Sequence, residues 1–433
     1  MFHRLQLPFV AFLLLFISHS TTSANELFQK VEPIEVATSD WPWWRGPNRN
    51  GVAMADQNVP MKWDQEHHVL WKSPIPGNGH SSPTVVGQRI FLATANSEQQ
   101  TQSVLCLDRA TGKHLWKTLI HQGGLESIGK QPNSKSSRAS STVACDGQRL
   151  FINFRNRQSI YTTALDLDGN RLWQTKITDY VLHQGYGSSP AIHGPLVIVS
   201  ADNKGGGVVM GLERTTGKVV WKQERPQLPN YPSPIILPIA GRDQVLMVGC
   251  DLVASFDPLT GSKIWESPGA TTECVTSTVS DGNLVVTSGG YPKNHIAVMR
   301  ADGSGEILWH NNTRVYVPSL LIHDAHLYAV TDAGIAICHE LLTGKLAWKH
   351  RLDSTFTSSP VLVGEHIYVT GDEGKSYIFA ANPQAFTPLA ENLIAGRVIA
   401  TPAICGSRIY LRIIRENDGK QQEMLYCLGY PGP

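Results

Sequence analysis

Short apolar runs separated by polar turn formers fill this 433-residue chain, and one arrangement recurs. From Leu107 an apolar run leads into Asp108, a turn closes on Gly112, and a second run ends on Trp116. Asp can hydrogen-bond back onto its own turn, and Gly supplies the positive φ that lets two strands pair, so the stretch predicts a β-hairpin. The runs ending at Trp221 and Trp265 repeat it closely, and looser copies end at Trp173, Trp309 and Trp348.

A second pattern interleaves with the first: a start of small residues, often with Pro, then about four apolar residues, a turn, and a β-branched or aromatic run. The starts are Ser81-Ser82-Pro83, Ser140-Ser141-Thr142, Ser188-Ser189-Pro190, Pro232-Ser233-Pro234, Thr276-Ser277-Thr278, Pro318-Ser319-Leu320, Ser358-Ser359-Pro360 and Ala400-Thr401-Pro402, spaced 59, 48, 44, 44, 42, 40 and 42 residues. A unit of ~40–50 residues is the length of a four-stranded propeller blade. The pattern therefore predicts an all-β fold, an eight-bladed β-propeller of four-stranded antiparallel blades. A β-sandwich or two unrelated sheets would not repeat one unit at this period. Val69–Lys72 reads as the outer strand of a blade whose other strands are missing, and Ala400–Arg412 with Met424–Leu428 supplies three strands at the far end. The two ends are expected to complete one blade, with Trp71 on the C-terminal hairpins and no open edge left. Seven blades is the rival count, because the hairpin around Asn382–Phe386 has lost its Trp and carries Ala390–Leu393 instead.

The Asp-x-x-Thr-Gly-Lys-x-x-Trp hairpins resemble the tryptophan-docking motifs of the pyrroloquinoline-quinone (PQQ) repeat family, which includes quinoprotein dehydrogenases and the outer-membrane assembly scaffold BamB. The resemblance covers roughly residues 68–429. It implies that Trp71, Trp116, Trp173, Trp221, Trp265, Trp309 and Trp348 dock between adjacent blades, and it is specific for fold rather than for function. Dehydrogenases of the family carry a vicinal Cys pair, a calcium site of Glu and Asn, and an Asp base. This chain has no adjacent Cys pair and is short for the insertions that build such a pocket. Oxygen ligands for calcium, such as Asp202-Asn203, Asp251, Asp332 or Asp372-Glu373, are equally explained as turn residues. No cofactor and no metal are expected; PQQ with calcium stands as the alternative.

Met1–Ala24 reads as a secretory signal, with a basic start, an apolar core over Leu7–Ile17 and a small-residue cleavage site before Asn25. An uncleaved anchor is the alternative. No Cys lies near the cleavage site, so the lipid anchor of BamB is not expected. Residues 25–67 form a polar lead and a Trp-rich segment, Trp41–Gly51, expected to cap one end of the fold or to form a ligand-binding lip; residues 68–433 form the propeller. No further run is long enough to span a bilayer. The formal charge of +1 and pI of about 7.7 leave no electrostatic footprint for nucleic acid. Seven scattered Cys leave at least one thiol unpaired. Cys106, Cys338 and Cys427 fall at similar places in different blades and read as small buried apolar residues.

Function should reside in the connections. One residue per blade lies just before each inner strand: His80, Arg138, Tyr186, Tyr231, Glu273, Tyr316, Phe356 and Arg397. In a propeller these positions converge on the mouth of the central channel, where aromatic, basic and acidic groups would suit a sugar, a quinone or a peptide. The longest connection, Leu119–Arg138, lies on the same face. No nucleophile elbow, phosphate-binding Gly loop or His-Glu-x-x-His is present; His183, His295 and His323 stand isolated, and Asn311-Asn312-Thr313 fits a glycosylation sequon. The expectation is an exported monomer, periplasmic or extracellular, acting as a non-catalytic scaffold for an envelope protein, a peptide segment or a glycan. A quinoprotein oxidoreductase and a carbohydrate-binding or sugar-processing propeller are the alternatives.

Overall fold

A computed structural model describes residues 33–125, 133–417 and 419–431. The signal over 1–24 and the centre of the 119–138 connection lie outside the described residues. Eight four-stranded antiparallel sheets form the blades of a propeller. Blade 1 runs Thr84–Val86, Arg89–Asn96, Thr101–Asp108 and His114–Gln122 from channel to rim, and blades 2 to 7 repeat this order. In blade 8, Ala403–Cys405, Arg408–Asn417 and Lys420–Gly429 are completed by Val69–Ile75, with Trp71 opposite Cys427. The ring is thus closed by its two ends, and eight is the blade count.

Why each unit folds alike is visible at its hairpin. Asp108 Oδ1 accepts the Thr111 amide at 2.8 Å and the Thr111 hydroxyl at 2.6 Å, and Asp257 does the same for Thr260. The outer strand then takes a β-bulge beside its Trp, which re-aims the indole toward the next blade. There the indole N–H donates to a turn carbonyl: Trp71 to Arg109 (3.2 Å), Trp116 to Leu167 (3.0 Å), Trp173 to Arg214 (2.9 Å), Trp221 to Pro258 (3.1 Å), Trp309 to Leu341 (2.7 Å) and Trp348 to Asn382 (2.8 Å). Trp265 instead donates to Gln244 of its own blade, at 3.0 Å. The turn Gly is required twice over. Gly112 has φ 71°, and a Cβ there would lie 2.4 Å from the Trp71 ring.

Opposite each Trp, on the neighbouring strand, stands a small or slender residue: Cys106, Ala164, Gly211, Ser255, Val298, Cys338 and Cys427. A Cβ on Gly211 would lie 2.3 Å from the Trp221 indole nitrogen, which shows why this side of the hairpin stays small. Blade 7, where Ala390 replaces Trp, carries Ile378 opposite. All seven Cys are buried free thiols. No helix among the described residues is long and apolar enough to cross a membrane.

Candidate functional site

The inner strands leave a channel on the ring axis, and the second residue of each small-residue start points its backbone and hydroxyl toward a neighbouring blade. The amide of Ser82 donates to Thr142 Oγ1 (3.1 Å), Thr142 to Ser189 Oγ (2.9 Å), and Ser189 to Ser233 Oγ (2.9 Å). Beyond an interruption after Ser233, Ser277 donates to Ser319 Oγ (3.0 Å), Ser319 to Ser359 Oγ (2.9 Å), and Ser359 to Thr401 Oγ1 (2.9 Å), and among the described residues a second interruption separates Thr401 from Ser82. This belt of amide-to-hydroxyl bonds ties the blades together around the channel and satisfies buried N–H groups that no strand partner reaches. In blade 2 the belt residue is Thr142, so the start falls one residue later than the sequence triplet suggests.

The N-terminal segment closes one end of the channel. The Trp41 backbone pairs with Val85 of blade 1, Pro42 O accepts the Cys145 amide of blade 2 (2.8 Å), and Arg49 donates to Ile192 O of blade 3 (2.6 Å) while lying over the Trp43 ring. Arg45 is buried and donates to Pro360 O (3.3 Å) and to Leu320 O, in blades 7 and 6. Burial lowers its pKa to about 9. Trp44 Nε1 donates to Ser277 Oγ at 2.7 Å, at the first interruption in the belt. The segment caps the channel, and Trp44 also lines the space above it.

Above Trp44 lies a chamber of about 180 Å³, walled by Ser82, Thr142, Ser189, Ser233, Ser277, Ser359 and Thr401. His80, Tyr186, Tyr231 and Tyr316 line it as the sequence suggests. The other four mouth candidates are placed differently. Arg138 lines a smaller adjoining cavity and donates to Ser97 Oγ at 3.0 Å. Phe356 is fully buried in the core between blades 6 and 7, so it is not a mouth residue; apolar packing, including Tyr377, claims its ring. Glu273 is buried beside Tyr231 rather than on the chamber wall, and Arg397 is exposed and reaches the segment that crosses the mouth rather than the chamber wall.

Residues 133–138 cross the mouth. Arg397 donates to Ser134 O (2.9 Å), the ring of His80 donates to Lys135 O (3.1 Å), Lys135 Nζ lies 3.7 Å from Asp332 of blade 6, and Asn133 donates to Gln184 (3.3 Å). Burial drives the His80 pKa down to about 4, and the Arg412 and Arg397 charges add to this, so its ring is neutral near pH 7. His183 is not isolated: its Nδ1 is 3.0 Å from the Tyr231 hydroxyl and 3.5 Å from Glu273. Tyr231 in turn donates to Glu273 at 3.4 Å. Burial raises the Glu273 carboxyl above its ordinary value, and His183 and Tyr231 oppose that shift. Burial, then Glu273, pushes Tyr231 up as well, and Tyr316 is raised to about 12. Both phenols keep their protons at neutral pH.

The pairings of Lys135 with Asp332 and of Asn133 with Gln184 escape sequence reasoning because three connections, far apart in the chain, bring them together. Asp202 sits in the hairpin connection between Leu196–Ser200 and Gly207–Glu213, where it is buried and holds Arg225 (3.0 Å) and Asn230 (2.9 Å). His323 likewise meets Glu365 at 3.0 Å on the exposed surface.

Blades, docking indoles and channel together define a PQQ-like β-propeller. The chain belongs to the family described as outer membrane protein assembly factor BamB, whose sequence profile matches residues 48–180, 100–311 and 292–383. It is 24% identical over 366 residues to BamB of Burkholderia pseudomallei, covering 81% of this chain and 86% of that protein. It is 23% identical over 359 residues to polyvinylalcohol dehydrogenase of a Pseudomonas species, covering 65% of this chain but 52% of that enzyme, so it spans about half the enzyme's length. Among solved structures, a europium-containing methanol dehydrogenase superposes with a TM-score of 0.65 at 12% identity, covering 94% of this chain and 100% of the other; this likeness is one of fold.

Proposed function

We propose that this protein is an exported scaffold of the cell envelope that holds a protein or peptide partner on its outer surface. The observation that carries the reading is on the rim. Among the described residues the outer strands of blades 1 to 3 each have an unpaired edge, and on those strands Leu115 and Leu119, Leu172, and Val219 and Val220 stand exposed. Unpaired N–H and C=O groups flanked by apolar side chains suit the addition of an extended segment, with main-chain bonds giving affinity and side-chain contacts giving specificity. Similarity to an assembly factor over most of both chains supports the same reading.

The second reading, a quinone-dependent oxidoreductase, is favoured by the dehydrogenases among the relatives. PQQ is a planar tricarboxylate, and the residues here fit it poorly. Among the described chamber residues Lys135 is the one cation at neutral pH, and Asp332 already pairs with it. None is a carboxylate, whereas calcium takes six to eight oxygens. The volume of about 180 Å³ also falls below the ~300 Å³ at which cofactor pockets begin.

Site-specific photo-crosslinking tests the scaffold role. A photoreactive residue at position 115 or 172 should give one discrete adduct in envelope extract, and Leu119→Asp should abolish it. An absence of adducts, together with a thermal shift on adding PQQ and calcium, would overturn the scaffold reading in favour of the enzyme.

A further inference from the structure

The belt around the channel is satisfied on one side only. Thr142, Ser189, Ser233, Ser277, Ser359 and Thr401 each accept an N–H through the hydroxyl oxygen, and all six line the chamber. A hydroxyl has one hydrogen to donate as well as lone pairs to accept with. None of these six O–H groups has an acceptor among the described residues. The wall of the chamber is therefore a ring of unspent donors, and buried donors left unpaired are costly.

Three further features narrow what could accept from them. Trp44 has its N–H committed to Ser277, so what it offers the chamber is apolar ring surface. Asn133 and Gln184, each able to donate and accept, line the mouth side together with Tyr231 and Tyr316. Formal charge is cancelled there: Lys135 is paired with Asp332, and His80 is neutral. An anion would find no free cation, and a cation no free carboxylate, among the described lining residues. The volume of about 180 Å³ is the space of ~6 liquid waters, room for one six-membered ring and its substituents.

The geometry points to a binding site in this chamber for one neutral, polyhydroxylated ring, the size of a single sugar residue or a cyclitol. Its C–H face would lie on Trp44, where stacking gives area without charge. Its hydroxyl oxygens would accept from the belt, and its hydroxyl hydrogens would go to Asn133, Gln184 and the phenol oxygens. The site is independent of the rim and stands or falls apart from the scaffold reading.

Titration calorimetry and thermal melting on the mature protein test it, with glucose, N-acetylglucosamine and myo-inositol as neutral probes and glucuronate and glucosamine as charged controls. At least one neutral probe should bind saturably, with millimolar or tighter Kd, and raise the melting temperature. Tyr316→Phe and Trp44→Phe should each weaken that binding at least tenfold. Because Trp44 also belongs to the cap, Tyr316→Phe serves as the variant whose unliganded melting should match the parent. The proposal is overturned by any of three results: no saturable binding of a neutral probe at ~100 mM, a hundred times a ~1 mM Kd; equal binding of the charged controls; or unchanged affinity in both variants. The first would mean that the chamber holds water alone, the second that it does not select a neutral ring, and the third that the ring binds elsewhere.

Discussion

Two seams of the ring meet the same packing demand with different parts of the chain. Between blades 1 and 2 everything comes from the repeat: Trp116 leaves its outer strand, donates to Leu167 O, and stacks against Gly169 of the next hairpin 53 residues on. Between blades 7 and 8 the repeat fails, because the outer strand carries Ala390 where the Trp should be. The indole there is Trp63, from the N-terminal segment. It is buried in one hydrophobic cluster with Ile378 and Ala390 of blade 7 and Ile409 and Tyr410 of blade 8. Its amide donates to Asn392 Oδ1 (2.9 Å), and Asn392 returns a bond to Met61 O (2.9 Å). Gln57 and Asn58 exchange bonds with Ser407 of blade 8, both at 3.1 Å. The first kind of seam can form as soon as two neighbouring units exist. The second must wait until both ends of the chain are present, so the ring has a last seam and a place where opening should begin.

The largest effect should come from removing that borrowed indole. Trp63→Ala deletes a buried side chain at a seam with no repeat-encoded substitute and should cost ~3–5 kcal/mol. Trp116→Ala should cost less, since Trp116 is only partly buried. Hydrogen exchange separates the two: Trp63→Ala should lose protection first in Pro388–Leu393 and Ala403–Cys405, Trp116→Ala first in blades 1 and 2. Uniform loss around the ring in both variants would show that no seam is special.

A smaller effect tests what the repeat itself contributes. Gly112 meets Trp71 at the seam that the first strand makes with blade 1, and Gly112→Ala combines an unfavourable φ of 71° with a contact at 2.4 Å. Gly87 also has positive φ, 56°, but a Cβ there meets nothing within 4 Å. Gly87→Ala therefore carries the backbone strain without the clash. Urea unfolding should show about 1 kcal/mol for Gly87→Ala and roughly 2–3 kcal/mol for Gly112→Ala. Equal losses would mean that the indole contact holds nothing.

This contrast also sets what sequence could reveal. The repeat-made seams were legible because Trp, turn Gly and the small partner recur in register: Cys106 opposite Trp116 and Cys338 opposite Trp348 answer the same steric demand. Trp63 was not legible, since it belongs to no repeat and its partner Asn392 lies 329 residues away. The chamber divides the same way. Its hydroxyl wall follows from the small-residue starts, with Thr142 displaced by one position, and Tyr186, Tyr231 and Tyr316 follow from their place before inner strands. Lys135 with Asp332, and His183 with Tyr231, are pairings between connections that share no pattern. Phe356 occupies a mouth position in sequence but turns into the core, because a benzene ring gains more from burial than from the rim.

The same division predicts how the protein responds to acid. Repeat-made seams are mostly apolar, whereas the 133–138 crossing is held by polar contacts, His80 among them. Its folded-state pKa of about 4 lies below the ordinary 6.5, so between those values the unfolded chain binds a proton that the native site refuses. Stability from this group is therefore full above pH 6.5 and is lost as pH falls toward 4. His121 and His295, also driven to about 4 by burial, work in the same direction. The buried carboxyls of Glu273 and Glu423 are shifted upward and so work against it, which is why the wild-type curve alone decides nothing. The difference between wild type and His80→Gln isolates one group, because Gln can still donate to Lys135 O but cannot titrate. The melting temperature of the variant should fall less steeply between pH 6.5 and 4, with the two curves parallel above pH 7. Parallel curves throughout would mean that the His80 ring is reached by water and that the mouth crossing stands open.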